Sequence, residues 1–137
     1  MIKITVKTTI NTSIEKAWEF WAKPEHIIHW NFASSDWCCP KADNNLKAGG
    51  HFNWRMESKD GTMGFDFEGT YNTIVPHKHI LYTLQDNRQV AITFTTQNDH
   101  TVTISETFDP ETINSAELQQ AGWLAILNQF KTYAESH

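Results

Sequence analysis

Glu106 is the residue of this sequence whose type and setting could do chemistry. It breaks the apolar series Val102, Ile104, Phe108, which alternates with Thr101, Thr103, Ser105 and Thr107. Residues of one parity share a strand face. The Glu106 carboxyl is therefore expected to point inward with Ile104 and Phe108. A carboxyl held there without a partner has a raised pKa and suits acid–base work or ligand orientation. The structural alternative is a buried Glu satisfied by a Trp N–H, an arginine or backbone, or turned outward by a bulge. Tyr71 and Tyr82 add hydroxyls able to orient a polar ligand atom.

The other reactive groups lead less far. Arg55 lies between Trp54 and Met56 on the opposite parity, so it is expected to face solvent and pair across a hairpin with Asp66 or Glu68. His26 and His29 are three apart, and His77 and His79 flank Lys78. Neither pair has a cysteine or carboxylate at a ligand spacing such as His-Glu-x-x-His, so both read as surface or capping residues and no metal is expected. Cys38 and Cys39 are adjacent and lack a Cys-x-x-Cys partner. They read as free thiols of a reducing cytoplasm, near the mouth of the interior. Lys47-Ala48-Gly49-Gly50 is not followed by Lys-Ser/Thr, so it is no phosphate loop, and no nucleophile elbow occurs. No cofactor is expected.

The whole chain of 137 residues reads as one domain, 1–137, with a core that needs no disulfide. Its net charge of −5 and lack of a Lys/Arg cluster argue against nucleic acid and anionic membrane as partners. The N-terminal residues lack a signal-peptide pattern, and no apolar run is long enough to span a bilayer. Six Trp and eight Phe are more rings than a small core usually takes. Rings line ligand pockets, and they also fill cores. The candidate cavity wall is Trp30, Trp37, Phe52, Trp54, Phe67, Tyr71, Tyr82, Phe94 and Trp123, with Leu127 and Glu106. Core filling is the alternative for each ring.

The elements must position these groups. Ile2, Ile4 and Val6 alternate with Lys3, Thr5 and Lys7, a half-buried strand. Thr12 or Ser13 caps a helix carrying Ala17, Trp18, Phe20 and Trp21, which Pro24 ends before a short second helix with Ile27, Ile28 and Trp30. Residues 31–47 have no clean period and read as an ordered loop. Strands follow through Phe52–Met56, Phe65–Tyr71, Ile80–Leu84, Val90–Phe94 and Val102–Phe108. Turns fall at Asp60-Gly61, Asp86-Asn87 and Asn98-Asp99, and Gly69 marks a bulge or bend. From about Ser115 the period becomes helical, with Leu118, Ala121, Gly122, Ala125 and Gln129 on one line and Trp123, Ile126, Leu127, Phe130 and Tyr133 beside it. This order predicts an α+β fold: a curved six-stranded antiparallel sheet wrapped around the long C-terminal helix. The glycine at Gly122 is consistent with space between the two.

Several strings carry a family resemblance in this order. They are Ala17-Trp18 with Trp21, Pro24-Glu25-His26 through Trp30, Lys47-Ala48-Gly49-Gly50 with Phe52 and Trp54, Phe67-Glu68-Gly69 with Ile74-Val75-Pro76, and Gly122-Trp123 with Leu127, Phe130 and Tyr133. Together they resemble the START-like superfamily, also called SRPBCC, and more closely its branch named for the activator of the heat-shock-90 chaperone ATPase. The resemblance implies a helix-grip fold with a ligand cavity between sheet and C-terminal helix. It implies apolar ligands such as lipids, hormones or polyketides, and in some members cyclase or hydratase activity. The eukaryotic namesake stimulates a chaperone ATPase and carries an additional N-terminal domain, for which this chain leaves no room.

Three functions follow. A small apolar or aromatic molecule is bound without reaction. Or a cyclase- or hydratase-type enzyme uses Glu106 with a tyrosine. Or the domain docks on a protein such as a chaperone, which needs an exposed apolar patch that Thr93, Thr95, Thr101, Thr103 and Ser105 do not provide. The first two part on whether Glu106 is inward and hydrogen-bonded to another titratable group.

Overall fold

A computed structural model describes residues 2–137. The strands are β1 (Ile4–Ile10), β2 (Trp37–Asn44), β3 (His51–Ser58), β4 (Gly64–Val75), β5 (His79–Leu84), β6 (Gln89–Asn98) and β7 (Thr101–Phe108). The helices are α1 (Ile14–Ala22), α2 (Pro24–Ile27) and α3 (Ala116–Glu135). The strands form one antiparallel sheet in the order β1-β7-β6-β5-β4-β3-β2. α3 runs beside β1, and α2 lies against β2 at the far edge. The sheet thus curls around the long helix, with the short helices closing one end.

The sheet has seven strands where the sequence predicts six. The additional one, β2, lies inside the segment read as a loop. Its pattern was hidden because Trp37, Cys38 and Cys39 are consecutive and apolar, and because the register shifts between Cys38 and Lys41, around Pro40. Proline cannot donate to a ladder and is confined to edges and bulges, which is where β2 puts it. β1 begins at Ile4 rather than Ile2, which is 88% exposed.

Ser13, not Thr12, caps α1, its side chain accepting from the Lys16 N–H at 3.2 Å. Lys23 is extended, as a residue before proline must be, and this separates α1 from α2. Behind that corner Trp30 is fully buried and its indole N–H donates to the Phe20 carbonyl at 2.9 Å. Gly69 makes no bulge; the register shift of β4 falls between Tyr71 and Thr73. Glycine is needed at 69 for closeness instead. A Cβ there would lie 2.4 Å from the Thr83 carbonyl oxygen and 3.2 Å from the Phe52 ring.

α3 is capped by the Ser115 hydroxyl, which accepts from the Leu118 N–H. Its inward line is Gln119, Leu127, Phe130 and Ala134, with Trp123 and Ile126 half-buried; Leu118, expected on the apolar line, is 60% exposed.

Candidate functional site

Glu106 points inward, as parity predicts. It sits on β7 opposite Val6 of β1 and Ile92 of β6, and only 5% of it is exposed. Burial alone pushes its carboxyl up to about 8; no hydrogen bond or nearby charge offsets the loss of water. Tyr82 on β5 is a titratable group that feels it. Burial, and secondarily the Glu106 charge, holds the Tyr82 hydroxyl well above the usual phenol range, and no hydrogen bond relieves it. Glu106 and Tyr82 therefore share one space without bonding to each other.

That space is a pocket of about 260 Å³ between β3–β7 and the N-terminal half of α3. It is open on one side rather than enclosed. Of the candidate wall, Trp30, Trp54, Phe67, Tyr82, Glu106 and Trp123 line it. Their rings form a continuous chain: Trp123 against Phe67 at 6.0 Å between centroids, Phe67 against Trp54 at 6.0 Å, Trp54 against Trp30 at 6.1 Å, and Trp30 against Trp21 at 4.8 Å. Trp123 is held from behind by stacking on Phe108 at 4.0 Å and 11°.

The other candidates lie elsewhere. Phe52 is a second layer, packed beneath Trp54, Phe67, Tyr71 and Tyr82. The Tyr71 hydroxyl donates to Asn44 Oδ1 of β2. Phe94 packs on Trp18 and Trp21, Leu127 is fully buried, and Trp37 tilts against Phe65 at the rim. Sequence reasoning did not place Trp21, Met56, Phe65, Arg88, Glu111, Gln119 or Ile126 in the lining. Gln119 is the instructive omission. It is buried on α3, accepts from the Glu111 N–H at 2.9 Å and donates to the Glu111 and Asn114 carbonyls at 3.1 and 2.8 Å. It thereby fixes the segment between β7 and α3 at the mouth. No local motif announces such a clamp; only the burial of a glutamine does.

The indole N–H of Trp54 has no partner among the described residues. It is fully enclosed and presents no surface to the pocket, so it is a packing cost rather than an anchor. Arg88 Nε donates to Asp86 Oδ2 at 2.7 Å. Arg55 pairs with Glu57 at 2.9 Å and with Asp66 at 3.5 Å, on the outer face as expected; Glu68 instead meets His51 and Gln85. His26 accepts or donates at Nδ1 to the Tyr133 hydroxyl at 2.6 Å, and His29 stacks on the same ring. His77 and His79 lie near the β4–β5 turn, where His77 has φ 67°. Among the described residues no group of three or more His, Cys, Asp or Glu is placed to hold a metal ion. Cys39 is buried and accepts from Asn31 Nδ2 at 3.8 Å, while Cys38 is half-buried. Among the described residues no helix is long and apolar enough to cross a membrane.

Known proteins share this architecture. The solution structure of an AHSA1-like protein from Aeromonas hydrophila is 38% identical, with TM-score 0.91 over 98% of this chain and 93% of that one. The solution structure of a Cytophaga hutchinsonii protein is 51% identical, with TM-score 0.84 over 98% and 92%. A crystal structure from Chromobacterium violaceum, 18% identical with TM-score 0.86 over 98% and 99%, shares the fold. No curated protein matches the chain. The model of the family described as activator of Hsp90 ATPase homolog 1-like protein matches residues 11–135, so the chain belongs to that family.

Proposed function

We propose that this domain binds a small, largely apolar aromatic molecule between the sheet and α3 and does not transform it. One observation carries the reading: a continuous wall of rings leaves about 260 Å³ unfilled. Protein interiors otherwise pack to crystal density, so side chains this large that stop short of one another define a space for something else. The volume sits just below the roughly 300–1,000 Å³ of typical small-molecule sites. A ligand of one or two rings suits it better than a long lipid chain.

Catalysis gains less support. The enzyme reading set out from the sequence pairs Glu106 with a tyrosine by a hydrogen bond. Among the described residues Glu106 has no such partner: neither Tyr82 nor Tyr71 bonds to it. Docking on a chaperone ATPase, which the family's name suggests, gains none from the surface. Among the described residues the exposed large apolar side chains are Ile2 before β1, Met63 and Phe65 where β4 begins, Val75 where it ends, Ile113 before α3 and Leu118 in its first turn.

Native mass spectrometry of the protein freshly purified from its source tests the proposal. A retained small molecule, released on denaturation, is expected. Purification without one, together with indole N–H resonances of Trp30, Trp54 and Trp123 that no small aromatic compound shifts, would overturn it.

A further inference from the structure

The chemistry of the lining narrows the ligand further, given that the pocket is a ligand site. Glu106 is nine-tenths buried, opens onto the pocket, and among the described residues has no hydrogen-bond or ion-pair partner. Around it stand Trp21, Trp30, Trp54, Phe67, Tyr82 and Trp123. Ring faces carry negative potential, which repels anions and attracts cations. The charged side chains of the lining are acidic on balance. Arg88 is already paired with Asp86, while Glu106 and Glu111 contribute two acids. An ionised Glu106 is thus disfavoured by burial and by the ring faces until an unpaired positive charge arrives.

We infer that the pocket takes an organic cation, a small aromatic amine whose ammonium group pairs with Glu106 and whose ring lies among the tryptophans. The ammonium keeps its proton, and Glu106 gives its own to solvent as the pair forms. Binding is therefore coupled to proton release wherever the empty pocket holds Glu106 neutral, which burial ensures up to about pH 8. The groups that bear on this titration are Tyr82 from β5, Arg88 from the β5–β6 turn and Glu111 before α3, with Tyr71 of β4 acting on Tyr82. α1, β3 and α3 contribute no titratable side chain to the lining, and Val6 and Ile92 flank Glu106 in the sheet.

The test compares 2-phenylethylamine with its neutral isostere 2-phenylethanol and with phenylacetate, by calorimetry and indole NMR at about pH 7. The amine is expected to bind about tenfold or more tighter than the alcohol, since a charge-assisted bond replaces a neutral one, and phenylacetate weakest. Its affinity should rise about tenfold from pH 6 to 7 and less steeply towards 8, while that of the alcohol stays flat. Heats in Tris and phosphate should differ by about one proton released per amine bound. Glu106→Gln should bring amine and alcohol to the same affinity. An alcohol that binds as well as the amine, or amine binding without proton release in the wild-type protein, overturns the cation assignment and leaves the pocket standing. If neither compound moves the indole resonances, the pocket reading falls and the cation with it.

Discussion

The two halves of α3 face different interiors. Around its C-terminal half Leu127 and Phe130 are fully buried and Ala134 is 2% exposed. There Phe130 meets Trp21 and Trp30 with ring centroids 4.9 Å apart in each case, and Trp21 meets Phe94 at 5.8 Å. Around its N-terminal half Trp123, Leu124 and Ile126 are only half-buried; Trp123 stacks on Phe108 on one side, while across the pocket Phe67 stands 6.0 Å away. One end of the grip is a core and the other is a wall. The corner made by α1 and α2 explains the difference, because it fills the sheet's concavity beside Phe130 and leaves the end beside Trp123 uncovered.

Truncation on each side should separate the halves most strongly. Phe130→Ala leaves a void among Trp21, Trp30 and Leu127 and should cost about 3–5 kcal/mol in urea unfolding. Ile126→Ala, on the pocket side, should cost roughly 1–2 kcal/mol, because part of its surface already lies outside close packing. Equal losses would mean that the pocket half is packed as tightly as the other.

Glu106 provides the next largest effect. Its carboxyl titrates near 8 when folded and near 4.5 when exposed. Between those values the unfolded chain has lost the proton that the folded chain keeps. Stability from this group is thus complete below pH 4.5 and declines as pH rises towards 8. The slope is about 1.4 kcal/mol per unit, or about 3 kcal/mol by pH 7. Asp60, Asp86 and Asp109 are held below the ordinary 3.8 and act at lower pH, so they do not mask it. Glu106→Gln should match the wild type near pH 4.5 and exceed its stability by about 3 kcal/mol at pH 7. Parallel pH profiles would mean that Glu106 is ionised and paired.

This contrast between halves was only partly legible in the sequence. The inward carboxyl was legible because a strand has a strict period of two, and one residue out of class on the apolar parity stands out. The strand order, hairpins and covering helix were legible for the same reason. β2 was not, because three consecutive apolar residues and Pro40 erase the period. The phase of α3 was also hidden. Leu118, Ala121, Leu124, Ala125, Ile126 and Leu127 are apolar nearly all round the helix, so either Leu118 or Gln119 could head the inward line. Only the carbonyls of the preceding segment, which Gln119 satisfies, decide between them. The membership of the wall depended on which rings meet across the fold. Phe52 and Phe67 share a strand-face pattern, yet one is a second layer and the other lines the pocket.

The smallest effects test the same difference by adding carbon to each half of the helix. A Cβ added at Gly122 meets no atom within 4 Å, and the residue is helical without positive φ. Gly122→Ala should therefore stabilise the fold by about 0.5–1 kcal/mol through reduced backbone freedom in the unfolded chain. Three turns along, Ala134 has no such room. Ala134→Leu should destabilise by about 1–3 kcal/mol, since extra carbon in a filled core forces side chains off their rotamers. Opposite signs in thermal unfolding are what a grip packed at one end and open at the other requires. A destabilised Gly122→Ala would place a neighbour beside that helix face, against the looser packing of this end.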